Sequence, residues 1–162
     1  MATYQVTPLH PENKARLCWR DAEAAATRLT DAERAELLIE FADRFEEVPA
    51  EIASRPYPEA NHVQRCESDA YVFPEDRPDG TVKFHFAVEN PQGLSAKAWS
   101  VILDQTLSGR PLEEVAAVPA DVVFQVFGKD LSMGKGQGLM GIVDMVTHAA
   151  KQRLARRGAG NQ

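Results

Sequence analysis

The chain is poor in cysteine. Its 162 residues hold two, Cys18 and Cys66, which make no disulfide framework of the kind that staples small secreted proteins. Nothing in it resembles a secretory signal, and no apolar run is long enough to span a bilayer. The expected location is therefore the cytoplasm, with both thiols reduced and no membrane partner. Positive charge is also in deficit: 18 Lys and Arg against 24 Asp and Glu give a net charge of −6. Phosphate binding needs a concentrated positive surface, so nucleic acid is excluded as a general partner. The basic stretch at 151–157 (KQRLARR) is short and suits the last turn of a helix, where cations meet the negative end of the dipole. Repeats and low-complexity segments are absent. What remains is ordinary for a soluble globular domain, 44% hydrophobic and 26% charged, and long enough to bury a substantial core.

Residues 61–73 (NHVQRCESDAYVF) hold the only cysteine in the part that reads as packed. Pro56 and Pro58 punctuate the chain before it, and the polar run 59–64 cannot bury itself, which puts Cys66 on a loop tip. From Ala70 to Phe73 the composition turns to strand. A thiol on a loop tethered to a sheet is well placed for presentation to another macromolecule. The alternative is a small buried hydrophobe, the commoner fate of a free cysteine.

Around this loop the elements follow in order. Residues 1–28 read as an N-terminal extension, helical or mobile, with few sizeable apolar groups. Thr30 and Glu33 form a capping box that opens an amphipathic helix with Leu38, Phe41, Ala42 and Phe45 on its apolar face, ending before Pro49. After Cys66 the period is two: a strand at 70–73, a turn at 74–80, then Val82, Phe84, Phe86 and Val88 alternating with Thr81, Lys83, His85 and Ala87. His85 falls on the polar face, as a strand residue rather than a base. A core helix follows, with Ser95 as its cap and Ala98, Trp99, Val101, Ile102 and Leu103 apolar nearly all round. Short helices at 112–117 and from Pro119 to Gly128 come next, and Gly138 opens the last helix, with a disordered tail at 158–162. The order predicts an α+β fold, a small antiparallel sheet covered by helices.

Gly136, Gly138 and Gly141 match G-x-G-x-x-G but lack the preceding strand and the later acidic residue, so a dinucleotide site is rejected. Gly128 and Lys129 lack the spacing of a phosphate loop. His62 lies four residues before Cys66, but nothing completes a four-ligand metal site.

Two separated stretches, in the right order, resemble the SufE family of cysteine desulfuration proteins over about residues 29–157. Asn61, Val63, Cys66 and Ser68 fall on that family's Asn-x-Val-x-Gly-Cys-x-Ser signature; Leu131, Ser132, Gln137, Gly138 and Leu139 fall on its C-terminal one. Arg65 stands where the family usually has glycine, and Lys135 where it usually has arginine. The resemblance implies the fold shared with IscU-like cluster scaffolds. It also implies a sulfur acceptor that takes persulfide sulfur onto Cys66 from a SufS-like, pyridoxal phosphate-dependent cysteine desulfurase, stimulates that enzyme, and passes sulfur toward an iron-sulfur scaffold complex. On this view the chain needs no cofactor or metal of its own, since the pyridoxal phosphate belongs to the partner. Arg65 and His62 would favour the thiolate and Glu67 and Asp69 oppose it; Lys135, Gln137 and Gly138 are candidate partner contacts. Two other classes stay open: a docking-only allosteric regulator of a desulfurase, and a cysteine-dependent hydrolase or peroxidase.

Overall fold

A computed structural model describes residues 18–128 and 131–160. The expectations that rest on residues 1–17, Lys129, Asp130 and 161–162 lie outside the described residues.

Strands β1 (Ala70–Asp76) and β2 (Val82–Val88) form an antiparallel pair, in register from Ala70 opposite Val88 to Asp76 opposite Val82. Alternation sends Ala70, Val72, Val82, Phe84, Phe86 and Val88 into the main core, as the sequence pattern requires. β1 is longer than its composition suggests, because Pro74, Glu75 and Asp76 belong to the strand and not to the turn. In a two-stranded sheet each strand is an edge, where proline's missing N–H can face away from the partner. The turn contracts to residues 77–81: Asp79 Oδ1 accepts from Thr81 N at 2.9 Å, and Gly80 takes φ +86°. The second face of the sheet is not polar throughout. Phe73 and Ala87 are buried there with Val48, under Ile52, Ala53, Tyr57 and Tyr71. Val48 N donates to Phe86 O at 2.8 Å and fastens this cover to β2.

Helix α1 (Trp19–Thr27) lies within the stretch read as an extension, yet Ala22 and Ala26 are buried and the helix packs on α5 and α3. Alanine carries too little apolar surface to announce such packing in a sequence. Helix α2 (Asp31–Asp43) opens on the expected capping box, Glu33 N to Thr30 Oγ1 at 3.2 Å and Thr30 N to Glu33 Oε1 at 3.0 Å. Its buried face is Leu37, Phe41 and Ala42, one residue round from the expected stripe, so Leu38 and Phe45 are only partly covered. Helix α3 (Leu94–Leu107) packs against α2 and β2 through Ala98, Trp99, Ile102 and Leu103. It begins at Leu94 behind Gly93, so Ser95 is not its cap. Short helices α4 (Leu112–Ala116) and α5 (Val122–Phe127) follow, the latter ending at Gly128 with φ +93°.

Helix α6 (Met133–Gly160) packs on β1, α3, α4 and α5. It starts five residues ahead of Gly138, and it stays helical through residues 158–160, which were expected in a disordered tail. Its basic end fastens the β1–β2 turn: Arg153 Nε meets Asp76 Oδ1 at 2.6 Å, and Arg157 Nη2 donates to Gly80 O at 2.5 Å.

The Arg153 guanidinium holds the Asp76 carboxyl below its ordinary range. A folded-state pKa below the unfolded one makes a contribution that is present above the unfolded value and lost as pH falls through the folded value. Asp76 is largely exposed, so solvent screening limits the effect. Asp76→Asn should lower stability at pH 7 by roughly 0.5 kcal/mol. In urea unfolding its gap from wild type should narrow below about pH 4; a gap that stays constant into acid would remove the ion pair as its cause.

Candidate functional site

Residues 62–70 lead into β1 as a closed loop. Val63 N donates to Ala70 O at 2.8 Å across its neck, and Asp69 N donates to Cys66 O at 3.2 Å across its tip. The far side is tied to the end of β2 by Glu89 N to Asp69 O at 3.1 Å and Asn90 N to Ser68 O at 3.2 Å. Two non-glycine residues take left-handed backbone angles to make this path, Arg65 with φ +64° and Asp69 with φ +49°. Such angles cost an ordinary L-residue about 1 kcal/mol or more. Position 65 therefore demands what glycine supplies freely, and arginine occupies it under strain.

The underside of the loop rests on the glycine face of α6. A Cβ at Gly138 would lie 3.2 Å from Cys66 Cα and 3.3 Å from Arg65 O; one at Gly141 would lie 2.9 Å from Val63 Cγ1 and 3.2 Å from Gln64 O. Gly136 gives the same room to the Phe124 ring, at 3.0 Å. The spacing that mimics a dinucleotide fingerprint is thus a packing surface inside a helix. Trp99 Nε1, donating to Leu139 O at 3.1 Å, fixes α6 against α3 beside it.

Cys66 is half-buried and lines a depression of about 410 Å³. The walls come from the loop (Glu67, Ser68), the turn after β2 (Asn90, Gln92, Gly93), the start of α3 (Leu94, Ser95) and the start of α6 (Gly134, Lys135). The starts of two helices and one lysine therefore line the same depression as the thiol, and the positive ends of helices favour anions. Glu67 is the carboxylate among these lining residues, its Oε1 3.8 Å from where a Gly134 Cβ would lie, so it faces the start of α6 and offsets part of that positive end.

Of the residues singled out in the sequence, Cys66, Ser68, Lys135 and Gly138 come together here. Val63 is fully buried beneath the loop. Arg65 is exposed and does not line the depression. Asn61 and His62 are not at the thiol. Asn61 Nδ2 donates to Val72 O at 2.8 Å and holds the base of the loop. His62 packs on Tyr71, with Nε2 3.4 Å from Asp69 Oδ1 and Nδ1 3.5 Å from Glu59 Oε1. Gln137 is exposed and lines no part of the depression. His85 pairs with Glu75 at 3.2 Å on the sheet, and no histidine among the described residues lines the depression. Sequence reasoning missed residues 90–95, which read only as a turn and a helix start; nothing in their spacing ties them to a cysteine more than 20 positions earlier.

The packing predicts opposite signs for two glycines of one helix. Gly141→Ala should destabilise by about 1–3 kcal/mol through overpacking against Val63, despite the roughly 1 kcal/mol that alanine adds to a helix. Gly158→Ala, with nothing within 4 Å of its Cβ, should be neutral or stabilising in the same thermal melts. The backbone at position 65 gives a second test. Arg65→Gly should gain up to about 1 kcal/mol in urea unfolding, while Arg65→Ala should gain nothing, because alanine meets the same angle. Equal effects of the two would discount the strain.

The family model SufE, described as Fe-S metabolism associated domain, matches residues 21–150 and so takes in α1 from its third residue. No curated protein matches the chain. A solution structure of a hypothetical protein from Thermus thermophilus is similar in fold, with a TM-score of 0.67 at 21% identity, covering 85% of this chain and 96% of that one. The family match spans most of the chain and contains both the cysteine loop and the glycine face that carries it, and on that ground this α+β protein is a member of the SufE family, with a role in Fe-S metabolism.

Proposed function

We propose that the chain is a sulfur acceptor: Cys66 takes sulfane sulfur from the persulfide of a SufS-like, pyridoxal phosphate-dependent cysteine desulfurase and carries it toward an iron-sulfur scaffold complex. The observation that carries this reading is the setting of Cys66, a half-buried thiol in an open depression faced by two helix N-termini and Lys135. The Cys66 thiolate attacks the outer sulfur of the partner's persulfide. A bond forms between Cys66 Sγ and that sulfur as the partner's S–S bond breaks, and the partner's cysteine leaves as a thiolate. The transferred sulfur keeps its oxidation level, Cys66 becomes the persulfide, and the partner returns to the thiol, so no external oxidant is consumed.

This exchange asks for an accessible thiol and no base held against it. A hydrolase or peroxidase would need such a base. His62 and His85 are instead engaged with carboxylates away from the depression, which favours transfer over hydrolysis. The starts of α3 and α6 and Lys135 line the depression where the partner's cysteine leaves as a thiolate, an anion that positive helix ends favour. The partial burial of Cys66 also limits its side reactions with bulk oxidants.

Intact mass after incubation with a cysteine desulfurase and L-cysteine tests the proposal. Wild type should gain about 32 Da for one sulfur, and Cys66→Ser should gain none. If neither gains sulfur while both still accelerate the desulfurase, the chain acts by docking alone and the acceptor reading fails.

A further inference from the structure

Among the described residues three large apolar side chains are exposed: Ile39 at 56%, Leu94 at 53% and Met133 at 79%. Scattered exposed hydrophobics are normal and by themselves mean little. Two of these three, however, open the two helices whose first turns line one depression. Leu94 is the first residue of α3 and lines the Cys66 depression; Met133 is the first residue of α6, next to Gly134 and Lys135, which also line it. They come from different helices 39 positions apart in sequence, so neither helix's own amphipathic pattern explains why both helix starts at this depression carry an exposed apolar side chain.

We infer that Leu94 and Met133 are the apolar anchors that receive the persulfide-bearing loop of the partner desulfurase, an inference that rests on the sulfur-acceptor reading above. The depression, at about 410 Å³, has the volume of a small-ligand pocket. It admits a few side chains and not a flat protein surface, so the occupant is a loop. The charge suits one end of that loop: the N-termini of α3 and α6 and Lys135 favour the thiolate that leaves as the sulfur is transferred, and Glu67, the one lining carboxylate, opposes it. The loop therefore carries its sulfur inward and apolar side chains on its shoulders, over Leu94 and Met133. Desolvated apolar anchors beside a polar centre are how small contacts acquire most of their affinity.

The double variant Leu94→Gln, Met133→Gln tests this, because glutamine keeps the length and helix propensity of both positions while making them polar. The assay follows alanine formed by a SufS-like desulfurase from L-cysteine as the acceptor concentration is raised. The double variant should need about tenfold more protein for half-saturation while reaching a similar saturating rate. Ile39→Gln, on α2 and away from the depression, should match wild type both in this assay and in persulfidation of Cys66 by a low-molecular-weight persulfide. Half-saturation within about twofold of wild type overturns the inference, as does an equal rise with Ile39→Gln. Loss of the double variant's labelling by the small persulfide also overturns it, by showing that the substitutions disturb the loop itself. A wild-type chain that accepts no sulfur from the desulfurase removes the underlying reading and the anchors with it, whereas unchanged half-saturation with normal transfer removes the anchors alone.

Discussion

The close approach of the cysteine loop to α6 is the contact on which the rest of this structure depends. A loop can bring its backbone against a helix at van der Waals distance only where the helix presents no side chains. Gly138 and Gly141 provide that surface beneath Cys66, Arg65, Gln64 and Val63. Glycine inside a helix is unfavourable by about 1 kcal/mol relative to alanine. A helix as long as α6, packed on β1, α3 and α4, tolerates that loss because its stability comes from tertiary contacts and not from propensity. Fixing the loop in this groove is also what leaves Cys66 at the wall of the open depression rather than in the core.

The same contact sets the electrostatics. Residues from the first turns of α3 and α6 line the depression that Cys66 also lines, so the seating of the loop places the thiol in one opening with two positive helix ends. Neither end is a site alone. Together with Lys135 they bring positive charge to the depression, and Glu67, beside the start of α6, offsets part of it. The ties that close the loop, Val63 to Ala70 and Asp69 to Cys66, together with the left-handed angles of Arg65 and Asp69, make its conformation specific and somewhat strained.

Much of the fold was legible. The alternation through Val82, Phe84, Phe86 and Val88, the Thr30–Glu33 capping box and the stop at Gly128 are local devices, and local devices are written in contiguous residues. The failures share a cause. Pro74 read as turn because its tolerance in β1 depends on being at a sheet edge, and Gly138 read as a helix start because its position inside α6 depends on what the loop presses against. The buried alanines of α1 and the one-residue rotation of α2's apolar face are likewise settled by neighbouring elements. In the site, the cysteine and its signature residues were visible, but Asn61 and His62 serve the base of the loop and not the thiol.

The sequence by itself determined the element types, the loop that bears Cys66 and the family to which both signatures point, because hydrophobic period, caps and turn residues act over a few positions. Only the tertiary structure decided which residues surround the thiol. The stretch at 90–96 and Gly134, Lys135, Gly138 and Leu139 reach it from distant parts of the chain, and that meeting follows from how α3 and α6 pack on the sheet and on each other, a property of long-range contacts that no local pattern encodes.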